Sequence, residues 1–218
     1  MTGGSRGDRS AWGGLTAGLA FIAGVGTAAK RAKDPYPRPW AGVDDVQRYF
    51  TRNRAAARTS VAGQALSAVS LLLFTPAVAR LARRAGSPGL AACAQASGVA
   101  ASLTLATSAG CSFVLTTSAG AGREAARRLH RLGFAAGGPA HTAAFGALVG
   151  ALGAAGARTG ELPAPVVTTS AVAATAGVLS PLYYVARPFG WLIFAGRFPG
   201  LVVSAVAGVR LARGRPTR

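Results

Sequence analysis

Twenty uncharged residues lie between Arg9 and Lys30, and four longer uncharged runs follow. They hold 21 residues between Arg58 and Arg80, 38 between Arg84 and Arg123, 26 between Arg131 and Arg158, and 25 between Glu161 and Arg187. Beyond Arg187 only Arg197 interrupts the pattern before Arg210. A hydrocarbon core about 30 Å thick is crossed by roughly 20 helical residues. Lipid offers no hydrogen bonds to an exposed backbone, so a crossing segment is a helix or part of a closed barrel. These runs are continuous and rich in Ala, Leu and Val rather than alternating over ~10-residue strands, which favours helices. The fold class expected is all-α: a polytopic helical membrane bundle.

The predicted spans are 11–29, 59–79, 89–115, 132–157, 163–186 and 188–209. They form one transmembrane domain over 11–209, with an N-terminal tail over 1–10 and a basic C-terminal tail over 210–218. The first span is read as an uncleaved anchor, because its apolar length exceeds that of a secretory h-region. The 38-residue run would be about 57 Å long as one helix. Two passes would leave no turn between them, so one helix followed by a small-residue tail, 116–122, is the better fit. The sixth span carries Arg197 and Pro199 near its middle; five spans, with 188–209 lying in the interface, is the alternative. In the long first loop, Asp44 and Gln47 have capping-box spacing, which predicts a short amphipathic helix from Asp45. Before it, three prolines between Asp34 and Trp40 exclude regular helix, and Tyr36 and Trp40 suit the membrane interface.

Composition agrees. Charged residues are 14% of the chain, against about 25% in a soluble domain. The chain is too apolar for disorder, its 30 glycines follow no period of three, and its two cysteines make no disulfide framework. The net charge of +18 collects at span ends, in groups such as Lys30-Arg31-Lys33 and Arg127-Arg128-Arg131. Such groups attract anionic lipid head groups. No basic face with interleaved aromatics points to nucleic acid. Six spans would put ten basic residues on the side of the termini and thirteen on the other, which leaves orientation open.

Few residues are equipped for chemistry. His130 and His141 are 11 residues apart, about 16 Å on a continuous helix, so one helix cannot offer both to a haem. No His/Cys/carboxylate set has metal spacing, and no cofactor is implied. Only Glu124 and Glu161 occur beyond the first loop, so a carboxylate proton relay is missing. Cys93 and Cys111 fall 18 residues apart in the third span, about 27 Å, too far to bridge. Gly14/Gly18, Gly133/Gly137 and Gly146/Gly150 have the spacing that lets helices approach closely; intramolecular packing accounts for them better than a dimer face. A polar set remains in the C-terminal half: His141 after Pro139, Tyr183 and Tyr184 after Pro181, and Arg197 between Gly196 and Gly200. A charge at membrane depth tends to face the bundle interior. Pro139 is expected to kink the fourth span and expose a carbonyl that Arg197 satisfies, with a neutral His141 accepting from it.

Several stretches carry a resemblance. Leu129 to His141, Leu152 to Pro163, Ala195 to Gly200, and the first-loop stretch Asp45 to Arg54 together resemble a family of uncharacterised multi-pass integral membrane proteins of high-GC bacteria. The resemblance implies about six helices and no assigned activity, so it carries over no catalytic residue. The 22 arginines against 2 lysines agree with a high-GC genome. The expectation is therefore a bacterial inner-membrane protein without catalytic activity, with an accessory, lipid-binding or assembly role. Its partner is the bilayer, and in particular anionic lipid; a protein partner or second copy is left unassigned. The alternative is a small permease with a pocket around His141, Arg197, Tyr183 and Tyr184.

Overall fold

The computed structural model describes residues 7–117 and 122–214. The described residues form an all-α polytopic bundle without strands, and six of its helical segments are long and apolar enough to cross a membrane. The helices are α1 (Trp12–Arg31), α2 (Val43–Arg52), α3 (Arg54–Arg84), α4 (Pro88–Thr117), α5 (Arg123–Ala135), α6 (His141–Thr159), α7 (Ala164–Leu179) and α8 (Trp191–Arg213). The first three spans are α1, α3 and α4. The fourth is α5 and α6 joined across a kink, and α7 and α8 complete the set.

Large side chains are found on both faces of the helices. Leu66, Val69, Leu72 and Leu73 of α3 are each about half exposed or more, while Leu71, Phe74 and Leu81 of the same helix are buried together with Gly63, Ser67, Ala68 and Ser70. Lipid is as apolar as leucine, so an outward leucine costs little, and close backbone packing at small residues helps decide which face is buried. Several buried hydroxyls bond their own helix, as Thr75 Oγ1 does to Leu71 O (2.8 Å) and Ser102 Oγ to Gly98 O (2.9 Å).

Glycine crossings set the helix order. A Cβ on Gly63 of α3 would come 2.5 Å from the Cα of Gly24 on α1, so those two backbones touch. On the C-terminal side, Gly146 of α6, Gly177 of α7 and Gly196 of α8 meet at one point. There a Cβ on Gly196 would lie 2.6 Å from the Cα of Gly177. Gly150 faces Ala174 and Gly153 faces Ser170, so the glycine row of α6 is used inside the molecule, against α7. The ring of helices closes where α8 returns to α1: Gly208 packs on Ala11 and Leu15, and the Asp8 amide donates to Leu211 O (3.1 Å).

Several boundaries differ from the sequence reading. The fourth span is longer, because α5 starts at Arg123 and carries its basic turn out of the bilayer beside α2. The third span is one helix, Pro88–Thr117, about 45 Å long; of its small-residue tail, 118–121 lie outside the described residues. Residues 1–6 and 215–218 of the two tails lie outside them as well. Cys93 is exposed and Cys111 buried on this same helix, and both are free. The sixth span is one helix, continuous through Pro199, and is long and apolar enough to cross a membrane. The amphipathic helix α2 begins at Val43 with Gly42 as its cap, not at Asp45 with Asp44 capping. Asp44 instead pairs with Arg123 of α5, which keeps its carboxyl below the usual carboxylate range.

Asp8 anchors the opposite face. Arg80 Nε and Nη2 donate to its carboxylate at 2.8 and 2.6 Å, and Arg80 Nη2 also reaches Ser10 Oγ. Burial pushes the Asp8 carboxyl up, but the hydrogen bonds from Arg80 and Ser10 outweigh it and hold the group below its usual value. A depressed folded pKa means that this stabilisation is present above the unfolded carboxylate value of about 3.9 and is lost as pH falls through the folded one. Asp8→Asn is expected to cost about 1 kcal/mol at pH 7, and the difference is expected to shrink as pH falls below the unfolded carboxylate value and through the lower folded one. Thermal unfolding in detergent across that range checks it; a pH-independent difference would assign the loss to packing.

Candidate functional site

The fourth span breaks at Gly137-Gly138-Pro139. Pro139 has no N–H to give the preceding turn, and Gly138 leaves helical geometry (φ −91°, ψ −106°) within a wide turn over Ala136–Ala140. Three carbonyls at the break are served from other helices. Ser180 Oγ, at the end of α7, donates to Pro139 O (3.0 Å). Arg197 of α8 donates through Nη2 to Gly137 O, to Gly138 O (3.3 Å) and to Thr142 Oγ1 (2.9 Å). The Gly146–Gly177–Gly196 crossing sits beside this contact and lets α8 come close enough for it. Arg197 thus points inward against the fourth span. Its Nε is buried without a hydrogen-bond partner, and its Cζ lies 5.2 Å from the ring centroid of Phe21 on α1.

Arg197 forms the floor of a cavity of about 590 Å³, within the range that holds a small molecule. One wall comes from α1 (Phe21, Val25) and one from α8 (Ile193, Phe194, Phe198). The back is the kinked fourth span (Gly133, Phe134, Gly137, Gly138), with Ser60 and Gln64 of α3 and Ser108 of α4 as polar rungs. Helices α1 and α8 pack together further down, where a Cβ on Gly18 would lie 3.6 Å from Leu201 O, and they hold the cavity between them above that point. Phe194 and Phe198 at this seam are 65% and 43% exposed, so the cavity has an open apolar edge there.

The first-loop segment after α1 roofs the cavity. Its Tyr36, Arg38, Pro39 and Trp40 all line it. The strap is pinned on three sides. Asn53, buried between α2 and α3, accepts from the Lys33 amide (2.7 Å) and donates to Asp34 (3.0 Å). His130 Nε2–H of α5 donates to Arg38 O (3.0 Å). Trp40 is bracketed by two guanidiniums, with Arg187 at 4.6 Å and Arg38 at 5.8 Å from its ring centroid. A second cavity of about 230 Å³ adjoins behind Tyr36 and shares Ser60, Gln64 and Ser108.

The expected polar set divides. Arg197 and Tyr183 line the cavity. His141 does not: it is fully buried behind the wall, donates through Nδ1 to Ala101 O (2.9 Å), and stacks on Phe145. The place of His141, the side-chain acceptor expected for Arg197, is taken by Thr142, the next residue, while His141 turns to Ala101 of α4. Tyr184 is 62% exposed and faces outward. Sequence reading missed Gln64 and the Arg38–Trp40–Arg187 mouth. Gln64 was detectable as the single amide in an otherwise apolar run; the mouth joins residues almost 150 positions apart and left no local signal. No group of three His, Cys, Asp or Glu gathers among the described residues. In comparisons with family models, curated proteins and solved structures, nothing matches the chain.

Proposed function

We propose that this is a non-catalytic protein of the bacterial inner membrane that binds a membrane lipid in the cavity between α1 and α8. The observation that carries the reading is the seam at Phe194 and Phe198: an aromatic-walled cavity that meets the bilayer sideways while a strap roofs its aqueous end. A ligand that enters this way comes from the leaflet, and Trp40 and Arg187 stand where a head group stands. An accessory or assembly role follows if the bound lipid is presented to, or sensed for, another component.

The second reading is a small permease. It is favoured by the polar rungs Ser60, Gln64 and Ser108, which lead from the strap to Arg197.

Native mass spectrometry of the delipidated protein, titrated with phospholipid, tests the first reading. The wild type is expected to hold one lipid per chain, and Val25→Trp, which fills the cavity, is expected to weaken that binding at least about tenfold, the equivalent of ~1.4 kcal/mol. Equal uptake by the two proteins would remove the lipid from the cavity, and uptake of a water-soluble solute in its place would move the assignment to the permease.

A further inference from the structure

Charge pairing narrows the ligand further. The chain has six carboxylates, and each is bound to an arginine that does not line the cavity. Asp8 pairs with Arg80, Asp34 with Arg52, Asp44 with Arg123, Asp45 with Arg48, Glu124 with Arg127 and Arg128, and Glu161 with Arg84. The three arginines that do line it, Arg38, Arg187 and Arg197, have no carboxylate partner among the described residues, and no Asp or Glu lines the cavity there. Three cations therefore share one chamber whose remaining lining is neutral, while the nearest carboxylates, Asp34 and Asp45 of the adjoining groove, are paired with Arg52 and Arg48. A guanidinium at membrane depth with neutral acceptors alone is costly. The described hydrogen bonds of Arg197 all run through Nη2, while its Nε is buried and unpartnered.

We propose that the cavity is an anion site and that its occupant is a lipid with net negative charge, held through its phosphate by Arg197, with Arg38 and Arg187 at the mouth. This rests on the lipid reading above and specifies the head group. The depths fit. Gly137, which Arg197 binds, is seven residues along the fourth span from His130, which binds the strap, so the guanidinium sits about 10 Å below the roof. Helical side chains lean toward the helix N-terminus, and α8 begins at the strap, so Arg197 leans up toward the mouth. A phosphate that enters at Trp40 is drawn toward Arg197, and its acyl chains leave through the seam at Phe194 and Phe198. The same phosphate chemistry exists in free inorganic phosphate, which has no chains and leaves the seam unused.

The test compares dioleoyl phosphatidylglycerol with dioleoyl phosphatidylcholine, which share chains and phosphodiester and differ in net charge, on the full-length delipidated protein. The wild type is expected to bind the glycerol lipid at least about tenfold more tightly, as one charge-assisted pairing would give. Arg197→Gln is expected to reduce that preference to within about threefold. Should Arg197→Gln fail to fold, the double variant Arg38→Gln/Arg187→Gln, altered only at the exposed mouth, is expected to cut the preference as well. Equal wild-type affinity for the two lipids overturns the anion site while leaving a lipid cavity. A full preference retained in the folded variants overturns it too. Arg197-dependent binding of inorganic phosphate, with neither lipid taken up, supports the anion site and overturns the lipid reading on which it rests.

Discussion

Gly177→Leu is expected to prevent the C-terminal half of the bundle from assembling. A Cβ at this position would lie 2.7 Å from Thr142 O and 2.9 Å from the Cα of Gly146, both backbone atoms that cannot swing aside. Even Ala would force α6 and α7 apart; Leu adds volume with nowhere to go. Overpacking a tight contact costs about 1–3 kcal/mol where side chains can yield, and here they cannot, so a loss at or above the top of that range is expected. The effect should reach the cavity, because separation of α7 from α6 withdraws Ser180 from Pro139 O and shifts Gly196, the neighbour of Arg197. Size-exclusion profiles in detergent before and after heating provide the check. Gly26→Leu is the control, since nothing lies within 4 Å of a Cβ there. A variant at position 177 as heat-stable as the one at 26 would show that the three helices do not meet as described.

Asn53→Ala is expected to free the strap without unfolding the bundle. One side chain holds both the Lys33 amide and the Asp34 carboxylate, and it is itself buried. Its removal leaves the Lys33 amide without a partner and Asp34 with Arg52 alone, at about 1 kcal/mol for each part-buried hydrogen bond lost. The loss is local, because Lys33 is exposed and Asp34 half-buried, both outside the packed helix core, so it appears as opening next to Lys33 rather than global melting. Trypsin cleavage after Lys33 should accelerate by about tenfold or more while the thermal transition moves little. Unchanged cleavage would mean that the Trp40 bracket and His130 hold the strap unaided.

The membrane architecture was legible in the sequence because the bilayer imposes a length rule on uncharged runs, and each of the five clean runs became a span. The kink at Pro139 and the inward arginine were legible for a similar reason: a proline and a charge at membrane depth each demand a compensating partner. Boundaries were not legible where helices leave the lipid, because Arg123 to Arg131 are helical and charged at once. The misplaced cap at Asp44 has a long-range cause, namely Arg123 taking the carboxylate that spacing alone assigned to a capping box. His141 was misjudged because a wide turn rotates every later residue relative to an ideal helix. The mouth of the cavity depends on contacts between Trp40 and Arg187, which no local pattern encodes.

The seam between α1 and α8 also has a bearing on how the protein is made. Gly18 and Leu201, which pack where the seam closes, are 183 positions apart. At ribosomal rates of about 5–20 residues per second, α1 waits roughly 10–40 s after its own synthesis before α8 exists. During that interval Phe21 and Val25 face open bilayer, and any lipid lodged against them is there before the wall is complete. The wall that α8 supplies is therefore the last part of the chamber to exist, and on the lipid reading proposed above the α1 face is open to the leaflet until that helix is made.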